Sequence, residues 1–412
     1  MNLIGAIYAV RRYGIKGVID FIKRHTQRDE ISRFLKEKCT AAEPQRGITV
    51  IGTMDTGESL SKVLRDLVFM LKKAGIPCQS LNVPGNIPIP ESEYADLITP
   101  KDEFVTNRYT HVVTMRRSFP IPDRRCTTHA IEFWEFEDGF KECQPETVWI
   151  KHIVAMSDFN LDVFKSSLPN TNVNKILYPF QFSHGELVSI KQTRGKYSIP
   201  QNAFAIFFNF DYCSSYFRKN PEAILLAFNK AFSRKDNVVI VFKTMRAKLK
   251  HIMSDRLHNL ARKLGIEGRL ITIDDFIPQE DLVNLTNACD VYMSLHRGEG
   301  FGLGIAEAMT LGKPVIVTDY SSTTEFCKPD NAMLVPYILV APKPDQHDIA
   351  EYTHVTKWAE PDIDAAAKAL RRLYDEPALR EELGRKAKAF IENYFSIDNF
   401  RKSVEDFLTS RP

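Results

Sequence analysis

The chain has 412 residues, 44% of them hydrophobic and 26% charged, with a formal net charge of +3. That length calls for two domains rather than one core. The composition excludes extensive disorder, and the small net charge excludes nucleic acid as the main partner.

The first forty or so residues differ from the rest. Arg11, Arg12, Lys16, Lys23, Arg24, Arg28, Arg33, Lys36 and Lys38 stand against Asp20, Asp29, Glu30 and Glu37, with Ile4, Ile7, Tyr8, Ile15, Val18, Ile19, Phe21 and Ile22 between them. This pattern predicts a basic amphipathic helical extension over residues 1–45, broken near Gly14. It fits an anionic membrane surface through residues 1–40, and it fits equally a docking helix packed on the protein itself. The opening MNLIGAIYAV has no positive leader and no clear cleavage site, so it does not read as a signal peptide. No apolar run approaches the ~18–20 residues that span a bilayer. The expectation is a cytoplasmic protein whose membrane contact, if it has one, is peripheral at the inner face of the plasma membrane. The seven cysteines are scattered, with no CxxC pair, and read as reduced thiols.

From Arg46 the pattern alternates. GITVIG (47–52) predicts a strand, a turn carries Gly57, and residues 59–74 predict a helix on Leu60, Val63, Leu64, Leu67, Val68 and Leu71. A strand over 75–83 completes a βαβ unit. THVVTM (110–115) and HIVAMS (152–157) add strands. A second series starts near Tyr197, with strands at 205–210, 237–243, 269–274, 290–296 and 313–319. Helices alternate with them at 221–232, 255–264, 279–288 and 304–311, and helices at 361–374 and 377–394 follow. The fold class is therefore α/β, with two doubly wound, Rossmann-like domains. The expected division is 46–196 and 197–394, then a closing helical segment over 395–412 that returns to the first domain.

The most informative stretch is HRGEGFGLGIAEAMTLGKPVIVTD, from His296 to Asp319. A buried strand runs into a loop with Gly298, Gly300, Gly302 and Gly304, then into a helix carrying Glu307. Such a loop suits an anion, since helix N-terminal N–H groups and the helix dipole favour negative charge. Glu299 and Glu307 suit vicinal hydroxyls, because each carboxylate accepts from two donors. Read from the glycines alone, with Asp319 as the ribose acid, the stretch also fits a nicotinamide enzyme.

EGFGLGIAEAM followed by GKPVIVTD resembles the E-x7-E signature of the family-four glycosyltransferases, retaining enzymes of the GT-B fold in which two Rossmann-like domains face a cleft. The likeness covers the second domain from about Ile199 to Tyr394 and extends more weakly into the first. By that resemblance, Glu299 contacts the donor sugar and Glu307 the ribose. Gly300 and the backbone N–H groups of Phe301, Gly302 and Leu303 take the sugar and diphosphate. FFNFDYCSSYFRKNPEAILLAF (207–228) is similar to the family's strand–loop–helix that holds the diphosphate. Lys219 fits its lysine. The usual Gly-Arg is replaced by Phe210 and Asp211, so either Arg218 is left to supply the second cation or Ser214, Ser215 and Tyr216 to hydrogen-bond the phosphate. Lys243 ends a strand at the ligand edge, and Phe276 and Ile277 lie where the family holds the base.

Gly57 sits in the equivalent of the family's first loop. THAIEFWEFEDGF (128–140) resembles a segment of a subset active on bacterial surface polysaccharides, as do SDFNLDVF (157–164) and WAEPD (358–362). From it, His129 is a catalytic candidate, and Trp134 and Glu135 join Gly57 as acceptor-side candidates. The resemblance implies transfer of a hexose or deoxyhexose, with retention, from a nucleoside-diphosphate sugar to a glycan or lipid-linked glycan in O-antigen or capsule synthesis. It implies no metal and no other cofactor. Two alternatives stay open: a GT-B-fold nucleotide-sugar epimerase, and a non-catalytic nucleotide-sugar-binding subunit of a polysaccharide assembly complex.

Overall fold

The computed structural model describes residues 29–85, 89–115, 123–144, 150–181, 186–349 and 352–409. Most of the basic N-terminal extension lies outside them. The described part of that extension is helical over residues 29–37 (α1). There Leu35 is fully buried with Ile51, Leu81, Phe104, Val112 and Cys126, and the Phe34 and Phe104 rings lie 5.8 Å apart. This stretch thus packs on the protein itself.

The next elements are β1 (Gln45–Gly52), α2 (Ser59–Lys73), β2 (Cys78–Asn82), β3 (Tyr109–Met115), β4 (Thr127–Ile131), α3 (Phe140–Cys143), β5 (His152–Ala155), α4 (Asp158–Ser167) and β6 (Asn172–Lys175). They give a six-stranded sheet in the order β2-β1-β3-β4-β5-β6. Then come α5 (Ile190–Lys196), β7 (Phe204–Asp211), α6 (Tyr216–Lys219), α7 (Pro221–Ala231), β8 (Val238–Met245), α8 (His251–Lys263), β9 (Leu270–Asp274), α9 (Gln279–Ala288), β10 (Val291–Ser294), α10 (Leu303–Thr310), β11 (Val315–Thr318) and β12 (Met333–Val335). The second sheet is also six-stranded, in the order β12-β11-β10-β7-β8-β9. Its neighbouring strands run parallel. A β13 (Tyr337–Val340) and β14 (Trp358–Pro361) hairpin, α11 (Ile363–Asp375), α12 (Pro377–Tyr394) and α13 (Ile397–Thr409) close the chain.

The chain divides into two compact units. One comprises residues 1–132, 150–154 and 400–412, the other residues 133–149 and 155–399. Both sheets are Rossmann-like. Strands buried on both faces, such as β7 and β8, read as nearly continuous apolar runs rather than alternating ones. In β8 only the terminal Met245 escapes full burial. The helix expected from Pro361 starts two residues later. Pro361 pairs with Tyr337 at the end of β14, and Asp362 caps α11 by accepting from the Asp364 and Ala365 N–H groups. Among the described residues no helix is long and apolar enough to cross a membrane.

The order of the second sheet fixes where a ligand belongs. From β7 the chain winds one way through β8 and β9, then crosses back to β10 on the other side. The carboxyl ends of β7 and β10 therefore flank a topological switch point, the place where open α/β sheets bind ligands.

Candidate functional site

Two loops leave that switch point. The first follows β7. It turns through Ser215 (φ +69°), forms the single turn α6, and passes Asn220 (φ +55°) into α7. Positive φ at non-glycine residues is strained, and here specific bonds hold it. The Ser215 hydroxyl donates to Asp348 Oδ1 at 2.6 Å and accepts from the Arg218 N–H, while the Tyr216 N–H donates to Asp348 Oδ2 at 2.6 Å. Asn220 Nδ2 donates to the Leu295 carbonyl at 3.0 Å, which ties this loop to the second.

The second loop follows β10. Arg297 fastens it: its Nη1 donates to the Phe217 carbonyl at 2.7 Å, and its Nε and Nη2 form a fork on Glu360 at 2.7 and 2.9 Å. The Glu299 N–H donates to the Ser321 hydroxyl at 2.8 Å. Gly302 (φ +93°) opens α10. A Cβ there would lie 2.6 Å from Thr323 Cγ2, and one on Gly298 would lie 2.4 Å from the Glu135 carbonyl oxygen. One on Gly304 would lie 2.5 Å from the Tyr292 hydroxyl, and one on Gly300 3.1 Å from Phe133 Cβ. Packing against the protein therefore explains all four glycines. The functional reading of the loop rests on its charges instead.

Those charges meet. Lys219 Nζ lies 2.5 Å from Glu299 Oε1, and Arg218 Nη1 lies 3.4 Å from Glu299 Oε2. Arg218 also donates to the Gly298 and Ser214 carbonyls at 2.8 Å each, and Glu135 Oε1 stands 3.8 Å from its Nη2. Its guanidinium lies 5.9 Å from the centre of the Tyr352 ring. Burial works against ionisation of Glu299, but the Lys219, Arg218 and His296 charges outweigh it and hold the carboxyl at about 2. Burial pushes the Lys219 ammonium down, against the pull of Glu299. Burial also lowers His296 to about 4, so it is neutral near pH 7. The result is a buried, ion-paired cation beside the N-terminus of α10.

The other expected donor-side residues have definite places. Glu307 is half-buried on α10 and accepts from Gln279 Nε2 at 3.2 Å. Phe301 is buried, with its ring stacked 3.7 Å from that of Tyr178, and Leu303 starts α10. Lys243 is buried on β8, paired in register with Asn209 of β7, and burial lowers its ammonium. Phe276 is 59% exposed and Ile277 half-buried beyond the end of β9. The Ser215 hydroxyl is committed to Asp348, so Ser215 shapes the loop rather than offering a free donor. Sequence reasoning passed over Asp348 and Tyr352. They come from a loop far along the chain with no motif of its own.

Three acceptor-side and catalytic expectations change. Trp134 is 1% exposed. Its ring packs edge-on against Phe136, Phe140 and Tyr352, and its N–H donates to the Asp138 carbonyl at 2.7 Å. It is a core residue with no face for a sugar. Glu135 belongs with Arg218 in the second unit. His129 is 1% exposed in β4. It sits between His111, with ring nitrogens 3.0 Å apart, and His152, under the Phe407 ring at 4.8 Å. It is a buried residue of this histidine row. Gly57 is exposed in the loop after β1, which Arg65 anchors through the Met54 and Thr56 carbonyls at 2.7 and 2.6 Å.

The histidine row predicts acid sensitivity. Burial, with His111 and His152 beside it, lowers His129 to about 2 from an ordinary 6.5. Burial lowers His111 and His152 as well. A group held neutral in the fold contributes stability above its unfolded pKa, and that contribution is lost as pH falls below it. From pH 6.5 downward, His129 alone should reduce stability by about 1.4 kcal/mol per pH unit. Denaturant titrations across that range should show a flatter acid limb in His129→Asn. An unchanged slope would remove the assignment.

Residues 213–390 match the model of the family described as Glycosyl transferases group 1. The chain is 28% identical over 153 residues to the serotype-specific mannosyltransferase WbdA of Escherichia coli, covering 36% of this chain and 17% of that protein. It thus spans about a sixth of the length of that curated relative. Among solved structures it is similar to a glycosyltransferase from Rickettsia africae, with a TM-score of 0.64 and 14% identity over 88% of this chain and 98% of that one. It is also similar to Anabaena Alr3699/HepE, solved with UDP and glucose, with a TM-score of 0.60 and 14% identity over 89% and 100%. These likenesses establish the fold: two Rossmann-like domains of the GT-B type.

Proposed function

We propose that the chain is a retaining glycosyltransferase that moves a hexose or deoxyhexose from a nucleoside-diphosphate sugar to a glycan or lipid-linked glycan, in assembly of an O-antigen or capsule polysaccharide. The observation that carries this reading is the Lys219–Glu299 pair at the switch point of the second sheet. It lies within the segment that matches the family model. The Anabaena structure's UDP and glucose, and the name of the mannosyltransferase relative, support a nucleotide-sugar donor.

In this reading the bond from the anomeric carbon to the diphosphate breaks. An acceptor hydroxyl oxygen bonds to that carbon on the same face, and its proton goes to a leaving phosphate oxygen. Lys219 and the N–H groups at the start of α10 meet the charge that develops on the diphosphate. Glu299 accepts from the sugar hydroxyls and Glu307 from the ribose. Arg218 is tied to two carbonyls. It acts at one remove, orienting Glu299. Lys243 faces the phosphates, and Phe276 with Ile277 the base. The first unit takes the acceptor, with the Gly57 loop at its edge, and the chain works at the inner face of the plasma membrane.

A thermal-shift screen over uridine, guanosine and thymidine diphosphates should single out one nucleotide that stabilises the fold. A mannose donor of that nucleotide is then the first substrate to try. With the competent donor, Glu299→Gln should lower turnover by about a hundredfold or more, and the product should keep the donor's anomeric configuration. No stabilising nucleotide, or full turnover in a folded Glu299→Gln variant, would refute this reading.

A further inference from the structure

The segment that leaves the carboxyl end of β8 stands apart from the rest of the surface. Residues 246–263 carry six Lys and Arg against Asp255 alone, a net of +5 in a chain whose total is +3. The segment is a short 3₁₀ turn, Ala247–Lys250, that runs directly into α8. Arg246 precedes it in the left-handed region (φ +64°) and pairs with Asp211, which sets the turn at the edge of the sheet.

At the tip of this turn two aliphatic side chains point into solvent. Leu249 is 72% exposed and Ile252 67% exposed. Three residues apart across the turn, they share one side of it. Arg246, Lys248 and His251 beside them are exposed too. The buried side of α8 is supplied by Leu257 and Ala261, so Leu249 and Ile252 are not needed for the core. Arg256 is taken up by Glu222. Lys248 and His251 flank the aliphatic pair.

We infer that this turn is a membrane-contact site, in which Leu249 and Ile252 enter the headgroup layer of an anionic bilayer while Lys248 and Lys250 meet the lipid phosphates. Exposed aliphatics ringed by cations are the composition that binds such an interface, since apolar insertion and attraction to anionic lipid act together. The charge left after the Arg246–Asp211 and Arg256–Glu222 pairs, on Lys248, Lys250, Arg262 and Lys263 against Asp255, selects that partner over an apolar protein face. The turn follows β8, whose carboxyl end belongs to the same sheet edge as Lys219 and Glu299. Docking there would bring the ligand edge of the second unit to the bilayer surface. The inference does not depend on the proposed reaction, because its readout is binding.

The test is sedimentation of the full chain with vesicles of phosphatidylcholine alone and with phosphatidylglycerol added, at low and high salt. The wild-type chain should bind only the anionic vesicles, and salt should release it. Leu249→Gln/Ile252→Gln and, separately, Lys248→Glu should each lower binding about tenfold with unchanged melting temperatures. Lys16→Gln/Lys23→Gln serves as the comparison in the N-terminal extension. Wild-type binding in both turn variants, with loss in the N-terminal variant alone, would overturn the proposal. So would a wild-type chain that self-associates without lipid through Leu249 and Ile252.

Discussion

Lys219→Met is expected to lower sugar transfer by about 10²–10³-fold, the effect of removing one preorganised group aimed at developing charge. It should also destabilise the second unit, for a separate reason. Lys219 sits 2.5 Å from Glu299, and both side chains are largely buried. Removing one partner leaves a buried carboxylate short of its nearest countercharge, a loss of about 3–5 kcal/mol in comparable pairs. Arg218, 3.4 Å from the same carboxylate, should keep the loss near the low end. The two effects can be separated. Lys219→Met/Glu299→Gln removes both charges, so it should recover most of the stability while staying inactive. If the double variant is as unstable as the single one, the pair is not the source of the stability loss. If folded Lys219→Met transfers sugar at the wild-type rate, its place in the reaction is wrong.

The pH dependence follows from the same pair. Glu299 titrates at about 2 in the fold, against an ordinary 4.5. A depressed carboxyl contributes stability above its unfolded pKa and loses it as pH falls through the folded value. Wild type should therefore lose this contribution between about pH 4.5 and 2, a step absent from the double variant.

Much of the fold could be read from the chain. Two runs of strand and helix at short spacing admit few topologies, and α9 occupies the residues its pattern predicts, Gln279–Ala288. Glu299 and Glu307 are visible because one loop and one helix turn carry both. Lys219 is 80 positions from Glu299, and only the likeness to a family pointed to it. Asp348 and Tyr352 were illegible. Each acts on the β7 loop from more than a hundred residues away, through a segment with no periodic pattern. Trp134 shows the opposite failure. A tryptophan in an aromatic stretch reads alike as a sugar platform or a core residue, and only its position among Phe136, Phe140 and Tyr352 decides between them.

Gly384→Ala should show how far packing can overrule local propensity. Gly384 lies within α12, where alanine is ordinarily better than glycine by up to about 1 kcal/mol. Propensity alone therefore predicts a more stable protein. The structure predicts the reverse. A Cβ on Gly384 would lie 2.0 Å from the Gly312 carbonyl oxygen and 2.9 Å from the Gly312 carbonyl carbon. Both are backbone atoms, so no side chain can swing aside. Gly312 is itself in the left-handed region (φ +68°), in the turn that ends α10 and leads to β11. Either α12 moves away or that turn shifts. Overpacking of this kind is destabilising by about 1–3 kcal/mol, and a backbone-to-backbone clash belongs at the upper end. In a unit of this size that is a fall of about 6–10 °C in melting temperature. The substituted residue touches none of the charged groups at the switch point, so transfer per folded molecule should stay near wild type at low temperature. A raised melting temperature would mean that helix α12 and the Gly312 turn do not approach as described.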